Sequence, residues 1–286
     1  MSLEKLRTRI SQFMEKQISN GSQAQKDFLW LSIKDLPYFR GLLRAVEARF
    51  YQDITLKAPV LDLGCGDGHF TTVAFDQPLD AGIDPWTGPV RLASKTGAYC
   101  LVTQSVGDRL PFSDGYFASA LSNSVLEHIS DLDPVLIEMA RVLRPGARFV
   151  FCVPNQYFLD NLSVSAFLDR IGLHGLANAY RRFFNRISRH QHCDSPDVWQ
   201  KRLEQAGFKI DKWWHYFSPG AFHTLEWGHY LGLPSLVTHF FLRRWILFPS
   251  RWNLSLTRAI VQKYYDEPSE QPRGSYTFYI THRMEN

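Results

Sequence analysis

The 286-residue chain is 45% hydrophobic, 14% aromatic and 21% charged, a balance that buries a core and excludes disordered, collagen-like and coiled-coil classes. Its four cysteines, Cys65, Cys100, Cys152 and Cys193, show no C-x-x-C and no paired Cys/His spacing, so neither a disulfide framework nor a metal site is expected and a reducing cytoplasm is the default. The net charge of +4 is uneven: Arg170–Cys193 and Trp227–Tyr265 together carry ten Lys/Arg and no acid, which leaves the rest of the chain at −6 and describes a basic appendage on an acidic body.

In chain order, Leu3, Leu6, Ile10, Phe13 and Met14 fall at helical spacing, and a second helix is expected from Leu42, Leu43, Val46 and Phe50 after Pro37. Met1–Ile10 is charged and lacks an apolar core, so no secretion signal is expected. Strands are expected at Pro59–Leu63, Ala81–Asp84, Ala98–Thr103, Phe117–Ser122 and Arg148–Val153, with helices at His69–Phe75, Val90–Thr96 and Leu132–Leu143, the last stopped by Arg144-Pro145-Gly146. This alternation predicts a parallel sheet covered on both faces by helices. About forty helical, basic, aromatic residues then interrupt it, before a helix at Asp197–Ala206, entered through Ser195-Pro196, and a strand at Phe208–Phe217. A second interruption reaches Pro272, with Asp266–Gly274 expected as a flexible connector, and a last strand follows at Tyr276–Thr281. Leu231–Pro249 is apolar but broken by Pro234, Arg243 and Arg244, so no membrane span is expected. The domain boundaries expected are 1–56 for the N-terminal helices, 57–155 and 195–218 for the core, 156–194 and 219–274 for two helical insertions, and 275–286 for the last strand and tail.

The sharpest local signal is Val60-Leu61-Asp62-Leu63-Gly64-Cys65-Gly66-Asp67-Gly68-His69-Phe70, a strand entering a glycine-rich turn and then a helix. Glycines allow the turn and let a ligand approach the backbone. Asp84 ends the next apolar run, twenty residues after Gly64, where a carboxylate can accept hydrogen bonds from ribose hydroxyls. The third glycine comes one residue early for a dinucleotide loop, and Asp62 and Asp67 put negative charge where a pyrophosphate would sit. A ligand with a positive centre is expected instead.

This run resembles motif I of the class I S-adenosylmethionine-dependent methyltransferases. The likeness covers about residues 57–155 and falls in the small-molecule branch called methyltransferase type 11 or ubiquinone/menaquinone-biosynthesis-like. Gly107-Asp108-Arg109-Leu110-Pro111-Phe112 resembles the segment whose aspartate contacts adenine, Ser122-Asn123-Ser124-Val125-Leu126-Glu127-His128 the strand-4 motif beside the methionine moiety, and Glu138–Gly146 the helix and turn that follow. The resemblance implies a Rossmann-like α/β fold with a seven-stranded, mostly parallel sheet, an antiparallel last strand between strands 5 and 6, N-terminal helices and a cap built from the insertions. It implies S-adenosyl-L-methionine as cofactor, with contacts at Asp62, Gly64, Cys65, Gly66, Gly68, Asp84, Pro85, Asp108, Arg109, Asn123 and Ser124.

Methyl transfer from a sulfonium needs mainly positioning and exclusion of water. A base helps when the acceptor must lose a proton, and His128, which closes the strand-4 motif, is the first candidate, with a structural role at the helix near Asp131 as the alternative. The Asn/Asp-Pro-Pro-Tyr/Phe run of nucleic-acid amino-methyltransferases is absent after strand 4, which disfavours nucleic acid. Leu176, Tyr180, Phe183, Phe184 and Ile187 are expected on one apolar helix face, and Trp213, Trp214, Trp227, Trp245 and Trp252 fall within forty residues, alongside Phe240, Phe241 and Phe248. A small hydrophobic or amphipathic acceptor (a quinone, isoprenoid, polyketide or lipid) and a peripheral contact with the inner face of a membrane fit this cap. A soluble anionic metabolite clamped by the arginines, a cofactor-binding scaffold without turnover, and an NAD-type oxidoreductase are the alternatives.

Overall fold

Asp27 accepts a hydrogen bond from the Trp30 backbone N–H at 3.0 Å and so starts helix α1 (Phe28–Ile33), and Pro37 leads into α2 (Tyr38–Phe50). The computed structural model describes residues 26–242 and 244–285; the helical pattern expected from Leu3 to Met14, the Met1–Ile10 segment and Arg243 lie outside them. The order then runs β1 (Val60–Leu63), α3 (His69–Ala74), β2 (Leu79–Asp84), α4 (Thr87–Ala93), β3 (Tyr99–Gln104), β4 (Phe117–Asn123), α5 (Asp133–Val142) and β5 (Leu143–Pro154). Two helices, α6 (Ser163–Arg170) and α7 (His174–Ser188), come before α8 (Pro196–Gln205) and β6 (Phe208–Tyr216). Finally α9 (Pro219–Leu231), α10 (Leu233–Leu242) and α11 (Ser255–Tyr265) fill the gap before β7 (Tyr276–Arg283).

The seven strands form one sheet in the order β3-β2-β1-β4-β5-β7-β6. The first five pair in parallel, and β7 is antiparallel to both β5 and β6, as the resemblance implied. All four residues of β1 are buried, as expected for a central parallel strand covered on both faces. Period-two alternation sorts β5: Phe149, Phe151 and Val153 face α5 and α8, whereas Val150 and Cys152 face the N-terminal helices and the cap. Strand order reverses between β1 and β4, so the crevice beyond their C-terminal ends is the natural ligand site of such a sheet.

Three local expectations change. The Arg144-Pro145-Gly146 segment is carried inside β5 as a bulge: Phe117 pairs with Leu143 and the next pair is Ser119 with Arg148, with Gly146 at φ +72°. Helix α4 begins at Thr87, three residues ahead of the expected start. The segment 266–274 is tied down, with the Gln271 N–H donating to the His215 carbonyl at 2.8 Å and Asn161 Nδ2 to the Arg273 carbonyl at 2.8 Å.

Helix α7 also departs from its expected face. Ala177 and Phe184 are buried and Tyr180 packs against them, while Leu176 and Phe183 point outward. The helix carries two apolar stripes, one spent on the core and one left at the surface. Among the described residues no helix is long and apolar enough to cross a membrane, and all four cysteines are free thiols.

Candidate functional site

The loop after β1 is pinned from below by β2. The backbone N–H groups of Gly64 and Cys65 both donate to the Ile83 carbonyl at 2.8 Å, and Gly64, Gly66 and Gly68 take φ of +79°, +55° and +79°. A Cβ on Gly64 would sit 2.4 Å from Val125, so the loop and the end of β4 touch through a missing side chain. At Gly66 nothing lies within 4 Å of where a Cβ would be, which leaves that backbone open to a ligand. Asp84, buried at the tip of β2, braces the loop: its carboxylate accepts from the Gly66 N–H at 3.2 Å and the Trp86 N–H at 2.9 Å. Pro85, Asp108 and Arg109 are exposed on the loops after β2 and β3.

Two of the expected contact residues face inward. Asp62 Oδ2 accepts from Tyr99 Oη at 2.6 Å and Thr71 Oγ1 at 2.9 Å, within the layer between β1, α3 and β3. Its carboxylate therefore fastens the loop to the sheet and does not add charge to the ligand face; burial pushes it up to about 6 despite those two hydrogen bonds. Asn123 donates to Glu47 Oε2 at 2.7 Å and accepts from the Cys152 thiol at 3.2 Å. Only its neighbour Ser124, at φ +53°, reaches the crevice.

Glu47 was not singled out by the sequence reading. It lies on the apolar stripe of α2 between Val46 and Phe50, fully buried, and an acid in that stripe is the signal that could have found it. It accepts from Arg44 Nη1 at 3.0 Å, Asn123 Nδ2 at 2.7 Å, Ser124 Oγ at 3.2 Å and Tyr216 Oη at 2.8 Å. These donors come from α2, the end of β4 and β6, so one carboxylate holds the N-terminal helix over the crevice.

Next to Ser124 opens a cavity of about 450 Å³, walled by Phe39, Leu43, Phe158, Leu225, Trp245 and Tyr276, with polar groups from Arg44, Glu127, His128, His190 and His229. The segment 189–192 returns to the strand-4 motif through one backbone and one side-chain hydrogen bond: the Gln191 N–H donates to the Glu127 carbonyl at 2.7 Å and His192 Nε2 to the Ile129 carbonyl at 2.9 Å. His128 thus lines the cavity, as a site residue should, but with its Nδ1 donating to the Arg189 carbonyl at 3.1 Å. Burial lowers its basicity and drives His190 down to about 3, and it lifts the Glu127 carboxyl to about 8. Glu127 and His190 were missed because partners 63 residues apart in sequence meet only through this lacing.

The aromatic cap divides. Trp245 lines the cavity, whereas Phe240, Phe241, Phe248 and Trp252 are 72%, 73%, 73% and 86% exposed. These four rings form a surface, and besides Trp245 the cavity's aromatic rings come from α2, the segment after β5 and β7.

A family model described as a methyltransferase domain matches residues 61–151. The chain is 32% identical over 154 residues to an uncharacterized methyltransferase of Mycolicibacterium gilvum, covering 50% of this chain and 55% of that protein. It is 30% identical over 173 residues to a demethylmenaquinone methyltransferase of Lactiplantibacillus plantarum, covering 53% of this chain and 70% of that protein. A solved structure of a methyltransferase from Thermotoga maritima aligns with a TM-score of 0.52 at 15% identity over 87% of this chain and 91% of that one, a likeness of fold. The chain spans about half or less of the length of several curated relatives it matches.

Proposed function

This chain belongs to the S-adenosylmethionine-dependent methyltransferases, and on that premise we propose that it methylates a small hydrophobic or amphipathic acceptor held in the cavity beside Ser124. The observation that carries the reading is the cavity itself: about 450 Å³, with an aromatic and aliphatic wall beside its polar groups, and reaching Ser124, the residue that follows β4.

The residues fit the cofactor. Open space at Gly66 lets a ligand reach the loop backbone, and Asp84 is held at the tip of β2 with acceptor capacity beyond its two backbone hydrogen bonds. Gly64, Cys65, Gly66, Gly68, Asp84 and Pro85 would hold it from one side, Asp108 and Arg109 from the rim, and Ser124 from the floor. S-adenosylmethionine supplies a methyl group already activated by a sulfonium for in-line displacement. The chain's own contribution is to orient the acceptor between Phe39, Phe158 and Tyr276 and to exclude water around it. His128, with Nδ1–H committed to Arg189, turns an unprotonated Nε2 to the cavity, where it can take a proton from the acceptor.

Demethylmenaquinone methyltransferases among the relatives support a quinone-like acceptor. Arg40 and Arg44 on the cavity wall favour a second reading, a soluble anionic acceptor. Transfer of labelled methyl from S-adenosylmethionine into a cell extract separates them: label in the organic phase supports the first, label in the aqueous phase the second, and no label in either overturns both.

The exposed rings of α10 and the segment after it, together with the exposed Arg244, Arg251 and Lys263, support a peripheral seat on an anionic membrane. Trp245 and Leu236 belong to the same segment and line the cavity, so such a seat would bring the cavity close to the acyl layer.

A further inference from the structure

Glu127 Oε1 and His128 Nε2 face each other across 3.8 Å. Because His128 Nδ1 donates its hydrogen to the Arg189 carbonyl at 3.1 Å, Nε2 carries a lone pair, and at 3.8 Å no hydrogen bond joins it to Glu127 Oε1. Glu127 is 1% exposed, and its second oxygen, Oε2, has no hydrogen-bond partner. An orphaned buried carboxylate oxygen is costly unless something absent from the protein satisfies it. His190 closes the arrangement: one ligand atom each from Glu127, His128 and His190 lie within 4.8 Å of one another, the one such group of three among the described residues.

We propose that Glu127, His128 and His190 bind a divalent transition-metal cation at the wall of the acceptor cavity. Two imidazoles and one carboxylate suit Mn²⁺, Fe²⁺, Co²⁺ or Zn²⁺ better than Mg²⁺ or Ca²⁺, which prefer all-oxygen sites. The surroundings resemble those of a built site. The Arg189 carbonyl fixes the ring orientation and tautomer of His128, as an outer partner of a metal-bound imidazole does. The Cys193 thiol lies 3.8 Å from His190 Nδ1, leaving the other ring nitrogen for a ligand. Arg44, one of the guanidinium groups on the cavity wall, is engaged by Glu47 at 3.0 Å and by the Asn123 carbonyl at 3.3 Å. Three protein ligands leave coordination positions open toward the cavity, where a hydroxyl or carbonyl oxygen of an acceptor could be held.

Metal binding can fail while the methyltransferase reading stands, and the reverse, but a cation on His128 Nε2 would exclude that nitrogen from acting as the base. The test is calorimetric titration of the metal-free full chain with Zn²⁺ alone and, for the spectrum of bound imidazole, with Co²⁺ alone. A single Zn²⁺ is expected to bind the wild type, at least tenfold more weakly in E127Q and in H190A, and unchanged in H229A, whose histidine lines the same cavity outside the cluster. Thermal unfolding of each variant confirms that a loss of binding is not a loss of fold. No binding by a folded wild type, or binding retained by both E127Q and H190A, overturns the site.

Discussion

Tyr216, in the sixth strand, donates its phenol hydrogen to Glu47, in the second helix, at 2.8 Å across 169 residues of chain. Both side chains are fully buried. The bond closes a ring of donors on one carboxylate and ties the roof of the crevice to the far half of the sheet. Removing the carboxylate as Glu47→Ala strands Arg44, Asn123, Ser124 and Tyr216 together, and is expected to cost about 3–5 kcal/mol of folding stability. Glu47→Gln, which keeps an acceptor, is expected to cost about 1–3 kcal/mol. Urea unfolding measures both; a loss below about 1 kcal/mol for the alanine variant would show that the ring is not cooperative.

Asp84 braces Gly66 and Trp86 and sits where ribose hydroxyls are expected. Asp84→Ala should weaken S-adenosylmethionine binding by about 1–3 kcal/mol, the range of charge-assisted hydrogen bonds. Calorimetry with the cofactor checks it, and unchanged affinity would remove Asp84 from the cofactor site.

Asp62 gives a pH signature. Its folded-state carboxyl is raised from an ordinary 3.8 to about 6 by burial, so between those values the unfolded chain ionises while the folded one holds its proton. Stability contributed by this group is therefore present below about pH 4 and lost as pH rises to about 6, by about 3 kcal/mol in all. Asp62→Asn, which cannot ionise, should flatten the unfolding profile across that window relative to wild type. Parallel profiles for the two proteins would place the Asp62 titration elsewhere.

The outward aromatic surface makes a separate prediction. Phe240→Ser with Trp252→Ser removes two exposed rings, so unfolding should move by no more than about 0.5 kcal/mol. Flotation with vesicles containing anionic lipid should fall roughly tenfold, and wild-type binding should weaken with added salt. Equal flotation of the two proteins would mean that the surface does not meet lipid.

Local and short-range patterns in the sequence sufficed for the sheet, its helices and the glycine loop, because strand runs, capping residues and glycine positions act over a few residues. The relation of Gly64 to Asp84 is equally legible, since adjacent parallel strands turn a sequence offset into a fixed spatial one. Resemblance added the antiparallel β7, whose insertion between β5 and β6 no local pattern specifies.

What only the tertiary structure decided is the direction of side chains and the meeting of distant ones. Asp62 and Asn123 stand in a motif read as ligand-facing, yet the alternation of β1 and β4 and the packing of α3 and α2 turn both carboxylate and amide inward. Phe183 and Phe184 are neighbours in sequence on opposite fates, one exposed and one in the core, because a helix turns about 100° per residue. Glu47 with Tyr216, and Glu127 with His190, are brought together by chain segments that share no local signal. A sequence carries the periodicity that makes an element, but the partner across a buried interface is chosen by how whole elements pack, and this site is built from such partners.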